Sequence, residues 1–164
     1  MSAFIKRKPL TADAAKSRAE ALCAKAEHCR GEIRKKLLGW GIFPAEAERI
    51  LDALEADRYI DDQRFARAFT RSKVLFNRWG RRKIAFALWQ KGVSKADIAY
   101  GAEQVEEEEY LEALRAVVAA KRRSTADADT YEGRTKIFRH ALQRGFESDL
   151  IAAELRRQAT NTDQ

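Results

Sequence analysis

RRKIAFALWQKGV, residues Arg81 to Val93, has two counterparts in the same chain. RGEIRKKLLGWGI (Arg30 to Ile42) and RTKIFRHALQRGF (Arg134 to Phe146) lie over it without a gap. Arginine opens each copy, at Arg30, Arg81 and Arg134. Isoleucine stands fourth (Ile33, Ile84, Ile137), and a large apolar residue stands ninth (Leu38, Trp89, Leu142). Glycine closes each copy (Gly41, Gly92, Gly145), followed by one more apolar residue. Arg81 follows Arg30 by 51 residues, and Arg134 follows Arg81 by 53. A recurring segment of this kind is an internal structural repeat. Its physical content is a helix that stops at glycine, because glycine tolerates the left-handed backbone of a helix C-terminus. On this alignment Trp89, like Leu38 and Leu142, is assigned to the core.

The repeat grows outward on both sides. After each glycine a second helix is expected: PAEAERILDALEAD with Pro44 near its start, SKADIAYGAEQV with Ser94 as N-cap and Asp97 three residues on, and ESDLIAAELRRQ with Leu150, Ile151 and Leu155. Before each copy a third helix is expected, over residues 11–27, 61–76 and 107–123. The expectation is therefore an all-α fold, an elongated array of three tandem three-helix repeats. The boundaries are 11–58, 59–106 and 107–158, with disordered tails at 1–10 and 159–164. Each repeat is too small to bury a good core alone and must stack on its neighbours. The stretch TADADT (Thr125 to Thr130) reads as a loop.

Composition supports this. Among 164 residues, 35% are charged and only 2 are proline and 8 glycine, which suits helices joined by short connections. No stretch approaches the roughly 18 consecutive apolar residues of a membrane span, and MSAFIKRKPL lacks the apolar run of a secretory signal. A cytoplasmic protein without a membrane partner is expected. Cys23 and Cys29 flank His28 in CAKAEHC, a spacing that fits no common zinc pattern, and read as two reduced thiols on a helix. The net charge of +7 favours an anionic partner.

That charge is concentrated in the middle repeat, which begins RYIDDQRFARAF (Arg58 to Phe69). Asp61 fits the N-cap of a helix, Asp62 favours the positive end of its dipole, and Ile60 with Phe65 fits a hydrophobic staple. Phe65, Phe69, Ser72 and Phe76 fall on one face. Capping accounts for both aspartates and their apolar neighbours, whereas a metal or acid–base role accounts for the aspartates alone. Arg64, Arg67 and Arg71 form one stripe at i, i+3 and i+7. From Gln63 to Ala96 there are ten basic residues and no acidic one. Phe86 aligns with Lys35 and Arg139, so an outward-facing aromatic is expected there, four residues from Arg82. Trp79, in RWGRRKI, reads as an anchor of the turn before the helix.

Those stretches carry a family resemblance. YIDDQRFARAF (Tyr59 to Phe69), RWGRRKI (Arg78 to Ile84), LWQKGV (Leu88 to Val93) and, more weakly, RTKIFRHALQRGF resemble the RecX family, bacterial regulators of the RecA recombinase. Arg81 stands where a proline is common in the family, a loss that a helix start tolerates. The resemblance implies three tandem three-helix repeats. It also implies binding in the groove of the RecA filament on single-stranded DNA, with inhibition of ATPase, strand exchange and co-protease activity. It implies no catalytic residue and no cofactor.

The expected contact surface is Arg64, Arg67, Arg71, Lys73, Arg78, Arg81, Arg82 and Lys83, with Phe86 as an apolar anchor. The expected partner is the RecA filament, with single- or double-stranded DNA as a further partner. A monomer is expected. The alternative is a direct DNA-binding protein acting through the basic middle repeat, although few aromatics read as placed to stack bases. An enzyme reading finds little support: the two histidines, His28 and His140, lie in different repeats, and no phosphate-binding loop or nucleophile elbow occurs.

Overall fold

The computed structural model describes residues 8–162. Among these there are nine helices and no strand: α1 (Ala12–Lys25), α2 (Arg30–Gly39), α3 (Pro44–Ala56), α4 (Asp62–Leu75), α5 (Arg81–Gln90), α6 (Lys95–Glu103), α7 (Glu107–Arg123), α8 (Tyr131–Gln143) and α9 (Ser148–Thr162). This is the all-α helical repeat array that the three aligned segments imply. No helix among the described residues is long and apolar enough to cross a membrane.

The closing glycines behave alike. Gly41, Gly92 and Gly145 have φ of 87°, 83° and 98°. The N–H of the next residue donates back across the end of the helix, Ile42 to Leu37 O at 3.1 Å and Phe146 to Ala141 O at 3.2 Å. This is the Schellman pattern, which satisfies carbonyls that the helix itself leaves open. The starts also match the residue types. Thr11 and Ser94 accept from Ala14 N and Asp97 N, Pro44 opens α3, and Glu106 with Glu109 forms a capping box on α7.

The chain divides into two compact units. The first runs up to Phe65 and includes Lys91–Val93. Its core gathers Ala15 and Ala19 of α1, Ile33 and Leu37 of α2, and Ile50, Leu51 and Leu54 of α3. Pro9 and Leu10 belong to it as well: Leu10 N–H donates to Trp40 O at 3.3 Å, and Pro9 stands close over Gly41. The expected N-terminal tail thus ends earlier than residue 10, and its first seven residues lie outside the described ones. Cys29 is the N-cap of α2 and fully buried, rather than a residue of the first helix. Its thiol donates to Glu32 Oε1 and Lys91 O, and burial pushes its pKa up to about 12, so it stays protonated at neutral pH.

The second unit holds Ala66–Gln90 and the chain from Ser94 onward. Ile84, Leu88, Leu114, Val118, Ile137 and Ala141 are buried in it, and the rings of Tyr110 and Phe146 lie 5.4 Å apart. Here α9 runs to Thr162, past residue 158 where the sequence reading begins a tail. At the start of α5, distant segments take up the backbone donors. Gly80 N–H donates to Arg144 O at 2.7 Å, Arg81 N–H to the Tyr110 hydroxyl at 3.1 Å, and Arg82 N–H to Gly145 O at 3.1 Å. Three N–H groups at that helix start are therefore satisfied by distant segments. Gly80 permits the approach, since a Cβ there would stand 2.2 Å from the Gly145 carbonyl carbon.

The ninth repeat position is not core. Trp89 is 66% exposed and Leu38 is 42% exposed. The buried row is the fourth and eighth positions: Ile33 and Leu37, Ile84 and Leu88, Ile137 and Ala141. Residues i and i+4 share a helix face, and the ninth position lies about 100° further round. In α4 the buried row runs through Phe65, Ala66, Thr70 and Val74, while Ser72 and Phe76 face out. The expected face through Ser72 and Phe76 is thus displaced: Ala66, Thr70 and Val74 lie about 90° or more further round the helix, and that side is the buried one.

Candidate functional site

Asp61 and Asp62 cap helices. Asp61 Oδ1 accepts the Arg64 N–H at 3.0 Å, and Ile60 and Phe65 are both buried beside it. Asp62 Oδ1 accepts the Arg30 N–H at 2.8 Å, so it serves the start of α2, a helix that begins 32 residues earlier. Among the described residues no group of three or more His, Cys, Asp and Glu could hold a metal.

The eight basic residues expected to meet a partner separate into three kinds. Arg64, Arg71 and Arg81 are engaged within the protein. In the first unit, Arg64 reaches Glu27 at 2.7 Å and the carbonyls of Arg58 and Tyr59. In the second, Arg71 donates to Gln104 O at 3.0 Å and approaches Glu109. Arg81 pairs with Glu107 at 2.7 Å and Glu147 at 3.2 Å, and its guanidinium lies 3.7 Å from the centre of the Tyr110 ring. Burial works against that charge, but the Glu107 hydrogen bond, the phenol and Glu147 outweigh it and raise the Arg81 pKa. Tyr110 in turn donates to Glu147 at 2.5 Å; burial, then that bond, carries its phenol well above the usual range.

Lys73 and Lys83 form the second kind. Their ammonium groups stand 4.7 and 4.3 Å from the centre of the Trp79 ring. Trp79 N–H donates to Lys73 O at 2.9 Å, which fixes the turn between α4 and α5. Arg144 closes the same turn from below α8, donating to the carbonyls of Asn77 and Arg78. Arg78 has a φ of 54°, a left-handed conformation rarely adopted by a residue with a Cβ.

Arg67, Arg78 and Arg82 form the third kind. All three are exposed, and none has an acidic partner among the described residues. Phe86 is exposed as expected, at 58%, and Trp89 joins it, with ring centroids 6.0 Å apart and planes inclined by 31°. The structure thus brings Phe86 and Trp89 together, and Lys73, Trp79 and Lys83. It separates the α4 stripe, in which Arg67 alone remains free. Trp89 is the residue that sequence reasoning missed. The shared apolar eighth position, one residue before it, is the signal that could have found it.

The fold and this surface define a class, an all-α helical repeat protein whose middle repeat presents unpaired cations and an exposed aromatic pair. Residues 61–100 match the second three-helix domain of RecX, and residues 107–155 match the third. A "Regulatory protein RecX" from Prosthecochloris aestuarii is 36% identical over 136 residues, covering 82% of this chain and 87% of its own. One from Oceanobacillus iheyensis is 27% identical over 70% of this chain, which spans only 42% of that longer relative. The crystal structure of RecX from Lactobacillus salivarius has the same fold, with a TM-score of 0.80, 18% identity and coverage of 89% of this chain and 95% of that one. The chain belongs to the RecX family of regulatory proteins.

Proposed function

We propose that this chain negatively modulates the RecA recombinase, binding its filament on single-stranded DNA and inhibiting ATPase, strand exchange and co-protease activity. Family membership supports RecA as the partner. The observation that carries the contact assignment is the set of exposed, acid-free guanidiniums at Arg67, Arg78 and Arg82. Cations without local partners steer an anionic or acidic surface toward them, and their contribution falls with salt. Arg64, Arg71 and Arg81 support the surface from within rather than contacting the partner. The reading includes three repeats bounded as 11–58, 59–106 and 107–158, a monomer, a cytoplasmic location and no catalytic step.

The test is the single-stranded-DNA-dependent ATPase of the cognate recombinase, titrated with this protein far below one per recombinase subunit. Strong inhibition at such ratios is the expected result, since each bound molecule then affects many subunits. Inhibition only in excess, relieved by adding DNA, would instead mean competition for the strand. Direct DNA binding is the second reading, and the exposed Phe86–Trp89 pair is the observation that favours it.

A further inference from the structure

The outer face of α5 is unusual for a helix of this protein. Ile84 and Leu88 face the core. At about 100° per residue, Arg82, Phe86 and Trp89 fall within a sector about 60° wide on the far side. Both aromatics are more than half exposed. The other repeats place Lys35 and Leu38, or Arg139 and Leu142, at those two positions. Only the middle repeat has two rings there, so the pair does not follow from the needs of the repeat fold. The inclination of 31° at 6.0 Å leaves the rings near enough to parallel for a third flat group to lie against them.

A second feature of the same unit points to an anion. Lys73 and Lys83 bring two ammonium groups to one indole, and neither has a carboxylate partner among the described residues. Arg82 is likewise free of one, and no acidic residue lies between Gln63 and Ala96. The ligand chemistry required is therefore alternating: a flat π face for Phe86 and Trp89, and a negative group for Arg82 and Lys83 on the same helix and for Lys73 across Trp79. An acidic protein segment satisfies the charge alone. A duplex satisfies the charge but hides its base faces. A single strand offers both, and stacking on aromatic side chains is the sequence-tolerant way to hold it.

We propose that the Arg82–Phe86–Trp89 face of α5 is a stacking site for unpaired nucleobases, with Lys73 and Lys83 beside Trp79 taking a neighbouring phosphate. This deepens the second reading, direct DNA binding, and rests on it, but its test needs no recombinase. The full chain is titrated with a 20-nucleotide oligothymidylate at low salt, and tryptophan emission is followed. Quenching on saturation is expected, with affinity falling about tenfold in Trp89→Leu, a residue that the equivalent positions already carry, and again in Phe86→Ala. Trp89→Phe is expected to retain most of the affinity, since a ring remains. A duplex of equal length is expected to bind more weakly and to quench less. Circular dichroism checks that each variant is folded. Unchanged oligothymidylate affinity in folded Trp89→Leu, or equal quenching by duplex, would overturn the proposal. So would loss of recombinase inhibition in Trp89→Leu with oligothymidylate binding intact, which would make the face a protein-docking surface.

Discussion

The first and middle repeats use their arginines differently. Arg30 and Arg81 occupy the same repeat position. In the first repeat Arg30 forks onto Glu48 at 2.9 Å, Asp52 at 2.7 Å and Glu55 at 2.6 Å, and Arg34 adds a second bond to Glu48 at 2.6 Å. All three acids belong to α3 of the same repeat. In the middle repeat α6 has Ala99 where α3 has Glu48, and α5 has Ala85 where α2 has Arg34. Arg81 finds its acids, Glu107 and Glu147, 26 and 66 residues along the chain. The middle repeat's remaining exposed guanidiniums, at Arg67, Arg78 and Arg82, find none. A count of basic residues therefore says little about a binding surface, because the acids within reach, from the same repeat or a distant segment, decide which cations stay unpaired.

The largest break in this comparison is expected where the middle repeat depends on distant segments. Gly80→Ala places a Cβ against the backbone of Gly145 and Phe146, which cannot yield cheaply, and is expected to cost about 3 kcal/mol in thermal or urea unfolding. The first repeat supplies the contrast: Gly39 has nothing within 4 Å of such a Cβ, and Gly39→Ala is expected to stabilise the chain by about 0.5 to 1 kcal/mol. Tyr110→Phe removes the hydroxyl that joins Glu147 to the Arg81 N–H. A loss of about 1 to 2 kcal/mol is expected, because a half-buried donor and acceptor lose their partner together.

Smaller effects sharpen the first repeat. The Arg34 and then the Arg30 hydrogen bonds hold the Glu48 carboxyl at about 2, below its ordinary 4.5. A carboxyl depressed in the folded state stabilises above its unfolded pKa, and that contribution is lost as pH falls from near 4.5 toward 2. Carboxyl chemical shifts are expected to place the Glu48 midpoint near 2, moving upward in Arg34→Gln. An ordinary midpoint in the unmodified chain would remove the ion-pair account of this repeat. The smallest stability effect is expected for Arg67→Glu, Arg78→Glu and Arg82→Glu, each within about 0.5 kcal/mol, since these side chains have no acidic partner to lose.

Much of the fold is legible in the sequence because it depends on short-range chemistry. Three closing glycines, the Ser94 and Asp61 caps and the span of α7 follow from residue type and spacing within a few positions. The surface is less legible. Asp62 acts on a helix start 32 residues away, Arg144 holds a turn 66 residues away, and Arg81 bonds Glu147 across the same separation. No local pattern encodes such partners. Trp89 is a subtler case: its alignment with leucines suggested burial, but aligned residues share a direction, and that direction is outward at Leu38 and Trp89.

The central claim is that the exposed, acid-free guanidiniums of Arg67, Arg78 and Arg82, not the basic residues at large, meet the recombinase filament. Its most direct test compares two variants in the single-stranded-DNA-dependent ATPase of the cognate recombinase. One reverses Arg67, Arg78 and Arg82 to glutamate; the other changes Arg64 to Gln, which breaks an internal pair with Glu27. The account predicts that the triple reversal abolishes inhibition with helical content and melting unchanged, while Arg64→Gln inhibits as fully as the unmodified chain. Inhibition that survives the triple reversal, or that disappears in folded Arg64→Gln, would contradict it.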